Sequence, residues 1–144
     1  MYTCFLIGNR DTPDSVLETL ISEVERHVVQ YHVTEFVAGN YGNFDRLART
    51  AVKHVKQNYP MIKFTLLLAY YPMKNIPDGI DETLYPPKME QIPKRAAIVR
   101  ANQYMVEHSD YLITYVKHEM GNTWGLLEYA RKRKNIIEIK NLAR

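Results

Sequence analysis

The sequence predicts an α/β fold, a single domain over residues 1–144 built on a parallel sheet of about five strands with helices on both faces. Two observations predict it. Short apolar runs alternate along the chain with longer stretches whose apolar residues recur every three or four positions. Glycine and polar residues concentrate in the segments that follow the apolar runs, where parallel sheets bind their ligands.

The first run, YTCFLI (2–7), reads as a central strand. Val16, Leu20, Val24 and Val28 then repeat every four residues, with Leu17 and Ile21 beside them. That stripe predicts an amphipathic helix over about 14–30, with Asp14 as its cap. TEFVAG (34–39) is a second strand ending in glycine. Phe44, Leu47, Ala48, Ala51, Val52 and Val55 predict a helix over about 43–58, which Pro60 stops. KFTLLLAY (63–70) is a third strand, apolar enough to be buried on both faces.

Residues 70–93 break the alternation, because they hold five of the seven prolines. At that density the segment is expected to form neither helix nor strand, and a long loop in a compact domain usually serves function. A helix restarts at about 93, followed by DYLITYV (110–116) as a fourth strand. TWGLLEYARKRK (123–134) is the last helix and NIIEIK (135–140) the fifth strand.

Composition removes several classes of function. An apolar share of 46% is that of a globular protein. No apolar run approaches the roughly 20 residues of a membrane helix, so no membrane partner is expected. The first ten residues carry no basic leader, and the cytoplasm is the expected compartment. The single cysteine, Cys4, lies in an apolar run and reads as a buried small hydrophobe. The five histidines show no metal-ligand spacing; neither metal nor cofactor is expected, and those on helices are expected to be solvated. The net charge of +3 is mild, and much of it lies in RKRK (131–134), where cations complement a helix C-terminus.

Three loops hold the chemistry. GNRD (8–11) places Arg10 just beyond the first strand, and a guanidinium there suits phosphate by bidentate geometry. In GNYGNFD (39–45), Gly39 and Gly42 permit close approach of a ligand to the backbone, and Asp45 is suited either to complement the helix dipole or to hold a ribose hydroxyl. In KHEMGNT (117–123), Gly121, Asn122 and Thr123 offer N–H groups, a hydroxyl and the positive end of a helix dipole to an anion. Neither GxxxxGK[ST] nor GxGxxG occurs. Tyr70–Tyr71–Pro72 and Tyr85–Pro86–Pro87 are suited either to stack a base or to pin the long loop.

FLIGNRD, VAGNYGNFDRLA and NQYMVEHSDYLITYV…GNTWGLLEYA together resemble the SLOG superfamily, the Rossmann-like group that contains the DNA-processing protein DprA and the LOG phosphoribohydrolases. The resemblance covers nearly the whole chain and is nearest to small uncharacterised members from bacteria and phages. It implies a nucleotide-derived ligand over the glycine turns, with Gly8, Arg10, Gly39, Asn40, Gly42, Asp45, Asn102, Gly121, Asn122 and Thr123 as binding candidates. The catalytic arginine and glutamate of LOG enzymes fall here on Ala101 and Leu126. Arg100 stands one residue early and Glu128 two residues late, and two residues are roughly 200° on an ideal helix. Arg100 and Glu128 are therefore the catalytic candidates, both out of register.

The resulting expectation is a binder of a nucleotide or nucleotide-derived small molecule, acting as a sensor or sequestering module. An N-glycosidic hydrolase of nucleoside monophosphates is the alternative, and a DprA-like single-strand binder the second. Net +3 and the want of an aromatic-basic stripe weigh against nucleic acid as a partner. The resemblance also implies a homo-oligomer, with Trp124 and Tyr104 at the interface.

Overall fold

The computed structural model describes residues 1–144. Six strands, β1 (Tyr2–Gly8), β2 (Val33–Ala38), β3 (Lys63–Leu67), β4 (Glu82–Leu84), β5 (Tyr111–Tyr115) and β6 (Glu138–Asn141), form one sheet in the order β4-β3-β2-β1-β5-β6. Every neighbouring pair is parallel. Helices α1 (Leu17–Tyr31), α2 (Asn43–Lys56), α3 (Lys94–Glu107) and α4 (Gly121–Arg131) connect them. The chain builds outward from β1 to β4, then returns to the other side of β1 for β5 and β6, so the strand order switches between β1 and β5.

The two-residue period of the strands divides the core. Cys4, Leu6, Phe36, Ala38, Phe64 and Ile113 pack with Leu20 and Val24 of α1 and Leu47, Ala48, Ala51 and Val52 of α2. Phe5, Val37, Leu67 and Leu112 face the other way, against Ala97, Ala101 and Met105 of α3 and Leu126, Leu127 and Ala130 of α4. Cys4 is fully buried, and burial raises its thiol pKa well above the ordinary value.

Three local expectations need correction. The proline-rich segment does contain a strand. Its prolines bracket β4 without entering it, and β4 is anchored at its far end by the Leu68 N–H on the Leu84 carbonyl at 2.8 Å and at its start by three further contacts. The Asp81 N–H donates to the Phe64 carbonyl at 2.9 Å, the Phe64 N–H donates to Asp81 Oδ2 at 2.8 Å, and Lys63 pairs with Glu82 at 2.9 Å. The sheet consequently has six strands, not five.

Asp14 does not cap α1. It opens a turn of 3-10 helix (Asp14–Val16) that runs straight into α1. Its carboxylate instead accepts from Asn43 Nδ2 at 2.8 Å and Arg46 at 2.7 Å, which hold its pKa below the ordinary value. These bonds tie the loop after β1 to the start of α2.

His32, His54, His108 and His118 are exposed as expected, but His27 is fully buried. Its Nδ1 lies 2.8 Å from the Glu23 carbonyl, and Tyr31 and Tyr111 meet its ring edge to face. Burial lowers its pKa, so the ring sits neutral in the core.

Candidate functional site

The loops at the carboxyl ends of β1, β2 and β5 converge at the point where the strand order switches, together with one face of α3 and the first turns of α4. They enclose a cleft of about 330 Å³ lined by 17 residues. That volume lies in the range of small-molecule sites, at the lower end. Gly8, Arg10, Gly39, Gly42, Asp45, Asn102, Gly121, Asn122 and Thr123 all line it. Asn40 does not; its side-chain oxygen accepts from Arg49 at 3.3 Å.

The loop after β1 is held by its neighbours rather than by its own sequence. The Asn9 N–H donates to the Tyr115 carbonyl at 2.9 Å, and Asn9 Oδ1 accepts the Lys117 N–H at 3.0 Å. These bonds link the β1 and β5 ends. The Asn43 N–H donates to the Arg10 carbonyl at 2.9 Å, linking the same loop to α2. Arg10 is exposed and forms no ion pair with its sequence neighbours Asp11 and Asp14, the second of which is taken by Arg46. Its guanidinium is left to the cleft.

The glycines divide into two kinds. Gly8 and Gly42 serve packing, not ligand approach. A Cβ on Gly8 would sit 2.5 Å from the Phe44 ring, and one on Gly42 would sit 2.7 Å from the Arg10 Cα. Gly121 and Gly125 have nothing within 4 Å of that position, so their open side is the cleft. Gly121 has φ +90°, a left-handed value that favours glycine.

Helix α4 begins two residues earlier than the sequence suggests. Gly121, Asn122 and Thr123 form its first turn rather than a preceding loop, after an extended Met120 that provides no side-chain cap. The first four N–H groups of a helix lack intrahelical partners, so this end presents uncapped donors to the cleft at the positive pole of the dipole.

Asp45 lines the same cleft as these donors. It is almost fully buried and accepts the Tyr41 N–H at 2.9 Å through Oδ2. Burial raises its pKa to about 6, against the smaller opposing effects of the Tyr41 N–H, Arg49 and Arg10. A carboxyl with its folded pKa raised contributes stability below its unfolded pKa of 3.8 and loses it as pH rises through about 6. The displacement from 3.8 to about 6 corresponds to about 3 kcal/mol. Asp45→Asn keeps an acceptor for Tyr41 and cannot ionise. Denaturant titrations should show the variant gaining on the native chain by about 2–3 kcal/mol between pH 4 and pH 8. A constant difference across that range would show that Asp45 is not strained by burial.

The two catalytic candidates lie outside the cleft lining. Arg100 pairs with Glu107 at 3.2 Å. Glu107 also accepts the Tyr129 hydroxyl. Burial opposes ionisation of Glu107, but Tyr129 and Arg100 outweigh it and hold its pKa below the ordinary value. Arg100 thereby fixes Tyr129, whose ring lines the cleft. Glu128 pairs with Arg131 at 3.6 Å, not with Lys132 as its i to i+4 spacing suggests. Sequence reasoning missed Tyr41, Gly125 and Tyr129, together with Ile98, Val99 and Gln103 on α3. The glycine of TWGLL was the one signal for any of them, a helix-disfavouring residue inside a helical pattern.

Among the described residues, no group of three or more His, Cys, Asp or Glu side chains is placed to hold a metal ion. No helix is long and apolar enough to cross a membrane.

Fold and cleft together define a Rossmann-like α/β protein with its opening at the topological switch point. A solved structure with this fold is DNA processing protein A from Helicobacter pylori, described for its single-stranded DNA binding mode. The two superpose with a TM-score of 0.60 at 16% sequence identity, over 91% of this chain and 61% of that one. No protein-family model matches the chain, and no curated protein matches it by sequence. The likeness overturns the expectation that nucleic acid is not a partner, because a protein of this fold binds single-stranded DNA. Net charge does not decide the question, because it sums over the whole surface. Acidic residues such as Asp14, Asp81 and Glu138 are neutralised within the fold by Arg46, Lys56 and Arg26, while Arg10 stays unpaired at the cleft.

Proposed function

We propose that the cleft holds one nucleotide unit of single-stranded DNA, with its phosphate against the first turn of α4 and the Arg10 guanidinium. The observation that carries this reading is the convergence on one opening of uncapped helix N–H groups and an arginine without an acidic partner. Both favour a singly bonded, negatively charged oxygen group, and together they give the charge-assisted geometry that binds phosphate. Asp45, in the same lining, would accept from an amino or imide N–H of the base. The likeness to a single-stranded DNA-binding protein supports a strand as the source of the phosphate. Membership of the SLOG superfamily belongs to the same proposal.

The volume of about 330 Å³ also suits a free nucleotide, which is the second reading. Neither reading assigns turnover, because Arg100 and Glu128 are engaged outside the lining. Binding of oligothymidylate and of thymidine monophosphate, measured by fluorescence anisotropy and calorimetry, tests both. Arg10→Ala should weaken each by more than about tenfold, as expected for a lost charge-assisted contact. Oligothymidylate affinity should also fall as salt rises. Unchanged affinity in Arg10→Ala would remove the phosphate from this position.

A further inference from the structure

We propose that Tyr70 and Tyr71 form a base-stacking platform beside the cleft, which takes the nucleotide next to the one held inside. The inference rests on the nucleotide reading of the cleft and adds what makes the ligand a strand.

The platform grows out of the carboxyl end of β3. Tyr41 lines the cleft, and its hydroxyl lies against the Ala69 backbone, next to Tyr70. The Tyr70 hydroxyl donates to the Lys94 carbonyl at 2.9 Å, at the start of α3, whose Ile98, Val99 and Asn102 line the same cleft. Tyr70 is thus tethered to the start of α3, one residue beyond the Ala69 backbone that meets Tyr41, while 40% of its surface stays exposed. Tyr71 follows with 71% exposed, an extreme value for a large aromatic side chain. It is not loose. Its ring rests 5.6 Å from that of Tyr85, tilted by 37°, and Tyr85 in turn packs against the α3/α4 side of the core. Pro72, Pro86 and Pro87 restrict the backbone on either side of the pair. A segment that only pinned a loop would turn these rings inward; here the loop is pinned by β4 and Tyr85, and the free faces point out.

Charge selects the occupant. Lys74, Lys88, Lys94 and Arg95 are exposed and take part in no ion pair, while Asp81 and Glu82 are consumed by Lys56 and Lys63. Asp78 and Glu90 are the remaining carboxylates, and Glu90 is engaged by the Tyr85 hydroxyl, so the segments that carry the rings and lead into α3 hold four unpaired cations against these two carboxylates. Aromatic faces that every base can stack on, set among cations that track a phosphate backbone, are the features of a single-strand surface.

The test uses the full chain with labelled oligothymidylate of about eight nucleotides and, separately, thymidine monophosphate. Tyr71→Ala should weaken the oligonucleotide about tenfold and leave the mononucleotide unchanged, and Tyr71→Trp should restore oligonucleotide affinity. Arg10→Ala should weaken both, so loss of the cleft and loss of the platform are read apart. Equal oligonucleotide affinity in Tyr71→Ala and the native chain would overturn the platform alone. Should that variant instead change the mass by light scattering and not the affinity, the tyrosines form a contact between copies of the chain. Absence of any binding by the native chain would overturn platform and cleft together.

Discussion

Gly125→Leu should abolish nucleotide binding while leaving the protein at least as stable as the native chain. Gly125 sits inside α4 and lines the cleft, and a Cβ there meets nothing within 4 Å. Glycine in a helix interior costs about 0.5–1 kcal/mol relative to a good helix former, so leucine should raise the melting temperature slightly. The same side chain would occupy the space beside the uncapped N–H groups, where the phosphate is proposed to sit. Gly121 is the more obvious target but confounds the result. Its φ of +90° strains any side chain, so lost binding there could follow from a distorted helix end. Thermal melts and calorimetry with thymidine monophosphate check the prediction. Retained binding in a stably folded Gly125→Leu would move the ligand away from α4.

Gly42→Ala should fail in the opposite manner, losing stability first and binding as a consequence. The added carbon would lie 2.7 Å from the Arg10 Cα and 2.8 Å from its Cγ. The obstacle is backbone, held by the Asn43 N–H on the Arg10 carbonyl and by the Asn43 side chain on the Thr12 carbonyl at 2.6 Å. No flexible chain end can move aside, so the β1 loop and the start of α2 must separate. Overpacking of this kind costs about 1–3 kcal/mol, and it displaces Arg10 from the cleft. The φ at Gly42 is extended and adds no strain, so the cost is steric. A two-state denaturation that shows no loss for Gly42→Ala would mean that the two loops are not locked together in solution.

The two glycines show what a sequence conveys and what it withholds. Gly42 and Gly121 stand in glycine-asparagine loops after apolar runs and both read as binding positions, whereas Gly125 lies inside the helical pattern of TWGLL and carries no such reading. In Gly125 and Gly121 the open side is the cleft. In Gly42 and Gly8 it is filled by Arg10 and Phe44. The difference lies in which residues from distant parts of the chain come to face the missing side chain, and local pattern carries no record of that.

The fold itself was determined by the sequence. Apolar runs at Tyr2–Gly8, Val33–Ala38, Lys63–Leu67 and Tyr111–Tyr115, separated by helical repeats, leave a parallel sheet as the arrangement that buries both faces. The loops after β1, β2 and β5 could be picked out for the same reason, because polar and glycine residues interrupt the pattern only there and in the proline-rich segment. Nine of the ten binding candidates do line one cleft. Tertiary structure alone decided the rest. It made β4 a strand, since pairing with β3 and the Asp81 and Glu82 contacts outweigh a segment with poor local propensity. It buried His27 among tyrosines, because the α1 stripe is wider than its aliphatic residues. It drew Arg100 to Glu107 and Glu128 to Arg131, and left Arg10 without an acidic partner. Local periodicity fixes which way a residue faces along its own element; which charges meet, and which stay free to bind, depends on how those elements pack.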